Sequence, residues 1–281
     1  MKAEAVAVLA CPVCGTSLAH AENVLRCEQG HAFDIARQGY ANLLTAGAPS
    51  AGDTAQMVEA RADFLARGHF APIAEAVAAE VAFCSTSGCV MAEVGAGTAY
   101  YLAAALDAAP GSTGVALDLS KYAARRAAKA HPAIASVVAN AWDALPLRDA
   151  SVAVLLDIFA PRNAAEFARV LTPAGLLVVV TPGPEHLTEL VSALGLLAVD
   201  RDKDARVFDQ LGVLFERSAD RHVGSKLELT HDEIMTVVGM GPSAYHVESA
   251  ELSARIAKLP EPMEVTLDVT LTLWEPRPDA A

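Results

Sequence analysis

Short apolar runs alternate with alanine-rich segments over most of the chain from residue 89 onward. The apolar runs predict strands over Val90–Val94, Thr113–Leu117, Val137–Ala139, Val152–Phe159 and Leu176–Thr181. The intervening segments predict helices, such as Tyr101–Ala108 and Ser120–Ala130. Strands that are apolar on both faces are typical of parallel sheets covered by helices. The pattern therefore predicts an α/β fold with a mostly parallel sheet.

The residues before this region predict a small module, a linker and a helical segment. Residues 1–46 form a short stretch that carries cysteines and a histidine and is rich in turns, and Gly47–Asp53 resembles a linker. Asp53-x-x-Gln56 resembles a capping box, which predicts a helix to about Ala66, and a second helix is predicted over 72–82. We therefore divide the chain into a module (1–46), a linker and helical segment (47–88) and a large domain (89–281).

The C-terminal third is less regular. Thr230-x-x-Glu233 predicts the start of a helix. Polar and apolar residues alternate over Glu264–Trp274, which predicts an antiparallel edge strand or a late strand.

Composition narrows the class of protein. Hydrophobic residues make up 53% of the chain and mean hydropathy is +0.32, which is enough to bury a large core. No apolar run reaches the roughly 18 residues that a membrane helix requires, and the N-terminus does not resemble a secretion signal. The odd number of cysteines favours the reducing cytoplasm over a disulfide framework. A net charge of −13 counts against nucleic-acid binding, unless basic residues are concentrated locally.

Three of the five cysteines cluster with a histidine. Cys11-x-x-Cys14 and Cys27-x-x-x-His31 are two close pairs separated by a loop, which is the spacing of a tetrahedral zinc ribbon. Four protein ligands would form a closed, structural site, worth on the order of 10 kcal/mol to a module with little core. The alternative is that these are buried cysteines without a ligand. Cys84 and Cys89 are interpreted as spare thiols.

A glycine-rich turn follows the first predicted strand. Glu93 precedes Gly95-x-Gly97, and Asp118 ends the second strand, where a carboxylate can bind the hydroxyls of a ribose. Tyr100 occupies the position of the third glycine in the dinucleotide fingerprint, which argues against NAD. An acid before the turn suits a ligand with a cationic end, such as S-adenosylmethionine. The alternative is that the glycines only ease packing in an α/β crossover.

Two further strand ends carry candidate side chains. Asn140-Ala141-Trp142 follows the third strand, where it can bracket an adenine, although Trp142 can equally be a surface residue. Asp157 and Phe159 end the fourth strand. We interpret them as catalytic candidates, in which Asp157 orients or deprotonates the acceptor and Phe159 stacks on a base. The structural alternatives are a helix-capping acid and a core phenylalanine.

The joined motifs resemble the 23S rRNA (guanine-N1)-methyltransferase family, which includes enzymes that protect macrolide-producing actinobacteria. The likeness covers nearly the whole chain. It rests on the Cys/His cluster and on the following motifs: Phe33-Asp34, Gly39-Tyr40-x-Asn42-Leu43-Leu44, Gly52-Asp53, Met57, Ala60-Arg61, Phe64-Leu65, Gly68-His69-Phe70, Gly95-x-Gly97-x-x-Tyr100-Tyr101, Leu117-Asp118-x-Ser120-Lys121, Phe159-Ala160-Pro161, Glu166-x-Ala168-Arg169-Val170 and Thr181-Pro182-Gly183-Pro184-x-His186-Leu187.

This resemblance implies a class I Rossmann-like methyltransferase domain with an N-terminal zinc ribbon that helps to bind an RNA hairpin. It implies donor contacts at Phe70, Tyr101, Leu102 and His186, and an acceptor at N1 of a guanine in domain II of 23S rRNA. It also implies a homodimer and a role in macrolide resistance. Ala99 departs from the family, which usually has a glycine there.

Basic residues at Lys121, Arg125, Arg126 and Lys129 share one predicted helix face, which is a candidate for phosphate contacts or a solvated surface. Arg26, Arg37, Arg61 and Arg67 are the other phosphate candidates. Two alternative functions remain open from the sequence. One is a class I methyltransferase acting on a small molecule, which the acidic charge favours. The other is a zinc-ribbon RNA-binding protein without catalytic activity.

Overall fold

A computed structural model describes residues 1–45, 52–84, 88–196, 209–241 and 249–278. Residues 47–51 of the predicted linker lie outside this range. The described strands form a three-stranded sheet and an eight-stranded sheet. No helix in the described part of the chain combines the length and apolar character of a membrane span.

The N-terminal module is a small antiparallel ribbon. A short helix α1 (Ala3–Ala7) precedes strands β1 (Leu18–Ala21), β2 (Val24–Cys27) and β3 (Ala32–Asp34), which pair in that order. The next strand, β4 (Tyr40–Asn42), joins the large sheet instead, where it pairs in parallel with residues 136–138. The last part of the module is therefore continuous with the sheet.

The large sheet has the strand order β10-β11-β9-β8-β5-β6-β7-β4. Its strands are β5 (Val90–Val94), β6 (Thr113–Asp118), β7 (Ile134–Val138), β8 (Val152–Ile158), β9 (Leu171–Pro182), β10 (Phe215–Leu229) and β11 (Met263–Pro276). The strands from β9 to β4 run parallel, while β11 is antiparallel to both of its neighbours. The predicted α/β class I architecture is confirmed.

Helices cover both faces of this sheet. They are α2 (Ala55–Ala66), α3 (Ala71–Cys84), α4 (Tyr100–Ala108), α5 (Lys121–Ala127), α6 (Ala164–Val170), α7 (Thr188–Leu194), α8 (His231–Gly239) and α9 (Ser249–Ile256). One apolar core lies on each side of the sheet. The chain adds strands to the two sides of β5 in turn, so the strand order reverses between β5 and β8, and ligands of open α/β sheets bind at such a point.

Two local predictions need correction, one open alternative is decided, and one strand was missed. Thr54, not Asp53, caps α2, because its side chain accepts a hydrogen bond from the Met57 N–H. Strand β7 begins at Ile134 and ends at Val138, earlier than predicted. Strand β11 is the late antiparallel strand that the pattern allowed, and it is not an edge strand because β10 forms the edge of the sheet. The sequence pattern missed β10, since most of its side chains are exposed and give no alternation.

Candidate functional site

The four predicted zinc ligands lie together within the ribbon. Their ligand atoms all lie within 4.8 Å of one another. Cys14 Sγ is 3.7 Å from Cys27 Sγ, and Nδ1 of His31 is 3.6 Å from Cys11 Sγ and 3.4 Å from Cys27 Sγ. A tetrahedral zinc ion with ordinary Zn–S and Zn–N bonds has ligand separations of about 3.8 and 3.6 Å. The geometry thus fits zinc, with His31 binding through Nδ1.

Two tight turns present these ligands. The Gly15 N–H donates to the Cys11 carbonyl over 2.8 Å, and the Gly30 N–H donates to the Cys27 carbonyl over 3.0 Å. Both glycines have positive φ, which a side chain would strain. Each pair of ligands therefore has its own turn.

A cavity of about 300 Å³ opens at the carboxyl ends of β5, β6 and β8, next to the point where the strand order reverses. This volume lies at the lower end of the range for small-molecule sites. Nine predicted site residues line it: Phe70, Glu93, Gly95, Gly97, Tyr101, Asp118, Asn140, Ala141 and Phe159. Leu102, His186 and Asp157 are not among the lining residues.

The glycine turn between β5 and α4 has a left-handed backbone. Gly95 and Gly97 have φ of +64° and +54°, and a Cβ on Gly95 would lie only 2.6 Å from the Cβ of Ala160. Ala99, the departure from the family pattern, caps α4 with a φ of 58°. A glycine would adopt this conformation without strain, which is consistent with the glycine that the resemblance implied for this position.

Two buried carboxylates flank the turn. The Glu93 side chain accepts the Leu102 N–H over 3.2 Å, which is the contribution of Leu102 to the site. Burial, with further repulsion from Asp118 and Asp157, raises the pKa of Glu93 to about 8. The Asp118 carboxylate accepts the N–H groups of Gly97 at 2.8 Å and Ser120 at 2.7 Å. Burial raises the pKa of Asp118, and these two N–H donors oppose the shift.

A loop after β7, held by side-chain hydrogen bonds, forms another wall of the cavity. The Asn140 side chain accepts the Trp142 N–H over 3.2 Å and donates to Asp143 over 3.0 Å. The Asn163 amide donates to the carbonyls of residues 141–143. Trp142 is 66% exposed although it lines the cavity, so its ring lies at the mouth.

An aromatic cluster lies on the opposite side. The Phe159 ring, 40% exposed, stacks on His186 with centroids 5.9 Å apart, and Phe70 contacts both rings. Phe159 has a φ of 55°, an uncommon conformation for a phenylalanine and one that often marks a functional site. Burial lowers the pKa of His186 to about 4, so its ring is neutral at pH 7.

Asp157 does not reach the cavity. Its side chain is fully buried, and Oδ1 lies 3.2 Å from Nε of Arg162, which is itself only 8% exposed. Neighbouring residues of a strand point to opposite faces, and the adjacent Ile158 is the one that lines the cavity. This position does not support the predicted role of Asp157 as a general base.

Sequence analysis missed part of the cavity wall. Arg61 lines the cavity, forms an ion pair with Asp53 and donates from Nη2 to the Met240 carbonyl over 2.9 Å. Arg67 likewise pairs with Asp232 and Glu233. Both arginines therefore have carboxylate partners already, which argues against the predicted phosphate contacts. Gly52-Asp53 and Ala60-Arg61 are both among the motifs that carry the resemblance to the family, and this was the sequence feature from which the wall could have been predicted.

Comparison with known proteins agrees with both parts of the site. The family model described as "RlmA, N-terminal", a zinc ribbon, matches residues 9–48, and one described as "Methyltransferase domain" matches residues 92–179. A solved Haloferax volcanii complex of the Trm112 methyltransferase activator with a methyltransferase has a TM-score of 0.51 and 16% identity. It covers 79% of this chain and 96% of that one, and it supports the fold alone.

Two relatives match nearly the whole chain. A Micromonospora griseorubida protein described as a 23S rRNA (guanine-N(1)-)-methyltransferase is 50% identical over 286 residues, covering 95% of this chain and 97% of its own. The 23S rRNA (guanine(748)-N(1))-methyltransferase of Streptomyces fradiae is 47% identical over 281 residues, covering 99% and 100%. The chain therefore belongs to the 23S rRNA (guanine-N1)-methyltransferase family, with a zinc-binding ribbon and a class I domain that uses S-adenosylmethionine as methyl donor.

Proposed function

We propose that this protein transfers a methyl group from S-adenosylmethionine to N1 of a guanine in a domain II hairpin of 23S rRNA, at the position numbered 748. The observation that carries this proposal is the near full-length similarity to the Streptomyces fradiae enzyme, whose name specifies that guanine. The zinc-ligand cluster and the cavity lined by the glycine turn are consistent with this proposal.

We assign the donor site to the glycine turn and its carboxylates. The Asp118 oxygens each accept one backbone N–H and retain lone pairs that can accept the ribose hydroxyls. The buried Glu93 carboxyl favours a cationic ligand, and Asn140 with Ala141 forms the wall beside the adenine. S-adenosylmethionine, when bound, supplies a methyl group on a positively charged sulfur.

The acceptor site lies at the mouth of the cavity, between Trp142 and the Phe159–His186 stack. Guanine N1 is on the Watson–Crick edge, so the base has to leave its pair before it can react. Exposed rings can stack on the extruded base and hold N1 in line with the methyl group. Phe159 remains our candidate for this contact, whereas the buried ion pair with Arg162 gives Asp157 a structural role in this proposal.

The wider biological role is part of the same proposal. Methylation at this position would take place in the cytoplasm, where ribosomes are, and would confer macrolide resistance. A homodimer whose ribbons flank the RNA belongs to this proposal as well.

Reverse transcription across domain II tests the proposal in a macrolide-sensitive bacterium that lacks its own copy of the enzyme. A methyl group on N1 blocks base pairing, so the polymerase should stop one base before guanine 748 when the wild-type protein is expressed. The stop should disappear in Asp118→Ala. The absence of a stop with a folded, zinc-loaded protein that binds S-adenosylmethionine would contradict the proposal and favour a small-molecule acceptor.

A further inference from the structure

Helix α5 carries a concentration of positive charge in a strongly acidic chain. The net charge is −13, yet no acidic residue occurs between Asp118 and Asp143. Four basic residues fall within this stretch, and we call them the α5 basic face: Lys121, Arg125, Arg126 and Lys129. All four side chains are exposed.

Packing of the helix fixes which way this face points. Ala123, Ala124 and Ala127 form the buried side of α5 against β6 and β7. The Ser136 hydroxyl of β7 donates to the Ala124 carbonyl over 2.8 Å and ties the helix to the sheet. Small alanines bring the helix close to the strands, so the long basic side chains are left on the solvent side.

The α5 basic face has no ion-pair partner within the described ranges of the chain. The Nζ atom of Lys121 lies over the Tyr122 ring, 5.2 Å from the ring centroid. Arg61, Arg169 and Arg255, by contrast, all pair with carboxylates. A charge that is already paired has less to offer a phosphate, so the α5 basic face is the better candidate for an anionic partner.

Helix α5 also connects the two functional parts of the molecule. It begins next to the cavity, because its cap Ser120 binds the Asp118 carboxylate. Beyond its other end, a Cβ on Gly39 of the turn before β4 would lie 3.5 Å from the Cβ of Ala128. Lys121 to Arg126 extend for about 7.5 Å along the axis of α5, and Lys129 follows in the turn after the helix. Arg37 lies in the same turn as Gly39 and is a further basic residue at the ribbon end.

We propose that the α5 basic face binds the phosphate backbone of the RNA substrate between the reacting guanine and the segment at the zinc ribbon. The inference rests on the proposed function, since it assumes an RNA substrate. It also accounts for RNA binding by an acidic protein. Phosphate contacts depend on local basic residues, and the net charge of the whole chain affects mainly long-range attraction.

Salt-dependent binding of a synthetic RNA hairpin tests this inference. The hairpin carries domain II sequence around guanine 748, and its affinity for the full chain is measured by fluorescence anisotropy at several KCl concentrations. Arg125→Gln with Arg126→Gln should weaken binding roughly tenfold to hundredfold at low salt and lower the slope of log affinity against log salt by about 2. Arg125→Lys with Arg126→Lys should retain most of the binding, because the charges remain.

Arg217→Gln with Arg221→Gln is the matched control. It removes two exposed arginines from β10, at the opposite edge of the sheet from β4. Binding of S-adenosylmethionine and the thermal midpoint should stay at wild-type values in the α5 variants, which excludes misfolding. An equal loss of RNA affinity in the control would overturn the inference, because the effect would then come from total charge.

The wild-type protein separates failure of this inference from failure of the proposed function. If the wild type binds and methylates the hairpin while the α5 glutamine variant keeps its affinity and salt slope, the basic face is not the RNA surface and the proposed function stands. If the wild type neither binds nor methylates the hairpin, both the proposed function and the proposed role of the α5 basic face are wrong.

Discussion

The zinc ribbon and the eight-stranded sheet are stabilised in different ways. Strands β1 to β3 contain three or four residues each, and their side chains are mostly exposed. In the large sheet, β6, β7 and β8 are buried along almost their whole length. The three ribbon strands bury few side chains of their own, so the ribbon depends on its metal and on an apolar core that it shares with the sheet, whereas the sheet depends on packing.

Backbone hydrogen bonds join the two regions. The Ala10 N–H donates to the Pro146 carbonyl over 3.0 Å, and the Arg148 N–H donates to the Val8 carbonyl over 2.8 Å. The first of these contacts lies next to the zinc ligand Cys11, and Cys11 and Cys27 pack in the same apolar core as strands of the sheet. None of the four zinc ligands lines the donor cavity, however. We therefore expect that changes at the metal leave the donor cavity intact and that changes in the cavity leave the metal bound.

Loss of a zinc ligand should have the largest effect. Cys14→Ser removes an exposed ligand, and the ribbon should lose most of a stabilisation on the order of 10 kcal/mol. The variant should contain little zinc by atomic absorption, and residues 1–45 should become sensitive to protease. Cys89→Ser is the matched control, because Cys89 lies in the other region and contacts Ser112 at 3.2 Å. A zinc-depleted variant with a protease-resistant ribbon would disprove the metal dependence.

Removing the Asp118 charge should have the next largest effect, now confined to the cavity. Asp118→Asn keeps the shape of the side chain but gives up the charged acceptor, which is worth about 1.5–3 kcal/mol per hydrogen bond. The affinity for S-adenosylmethionine, measured by calorimetry, should fall roughly tenfold to hundredfold. Zinc content should not change. Unaltered cofactor affinity would show that Asp118 does not bind the cofactor.

A pH effect should distinguish Glu93 from Asp118. The pKa of Glu93 is about 8 in the folded chain, against an ordinary value of 4.5 for an exposed glutamate. Between pH 4.5 and pH 8 the folded protein therefore holds a proton that the unfolded chain has lost. The free energy of unfolding of the cofactor-free protein should therefore fall as the pH rises from 4.5 to 8. Glu93→Gln should flatten this part of the profile in chemical denaturation experiments.

The same group links cofactor binding to proton release. A cationic ligand favours ionised Glu93, so binding at pH 7 should release a proton from the wild type and not from Glu93→Gln. Calorimetry in two buffers of different ionisation enthalpy measures that release. Equal release by both proteins would show that another group titrates.

The sequence predicted the features that depend on local patterns. Strand β5 has its predicted bounds, the spacing of Cys11 to His31 brought the four ligands together, and the Thr230–Glu233 capping box is present. These signals work because each involves residues within one turn, one strand or one pair of turns.

Features that depend on distant residues were not predictable in the same way. An acid at a strand end has the same pattern whether it faces a cavity or the interior, and only the fold separates Asp118 from Asp157. The bond from Arg61 to the Met240 carbonyl joins residues 179 positions apart. Strand β10 has an exposed face and depends on β11 for its pairing, so its own pattern gives no strand signal.

The smallest effect should come from a helix cap in the sheet region. Thr230 Oγ1 accepts the Glu233 N–H over 3.3 Å, and the Glu233 carboxylate accepts the Thr230 N–H over 2.9 Å. Thr230→Ala removes one half of this exchange and should cost about 1 kcal/mol, whereas Thr230→Ser should cost less because it keeps the hydroxyl.

The thermal midpoint measures this effect, with zinc content and cofactor affinity as the comparison. We expect a small loss of stability, with zinc content and cofactor affinity unchanged. The reason is that Glu233 keeps its contact with His69 at 2.9 Å and still joins α8 to the segment after α2. Loss of zinc on removing this cap would contradict the independence of the two regions more directly than any change at the ligands, since Thr230 lies outside the ribbon.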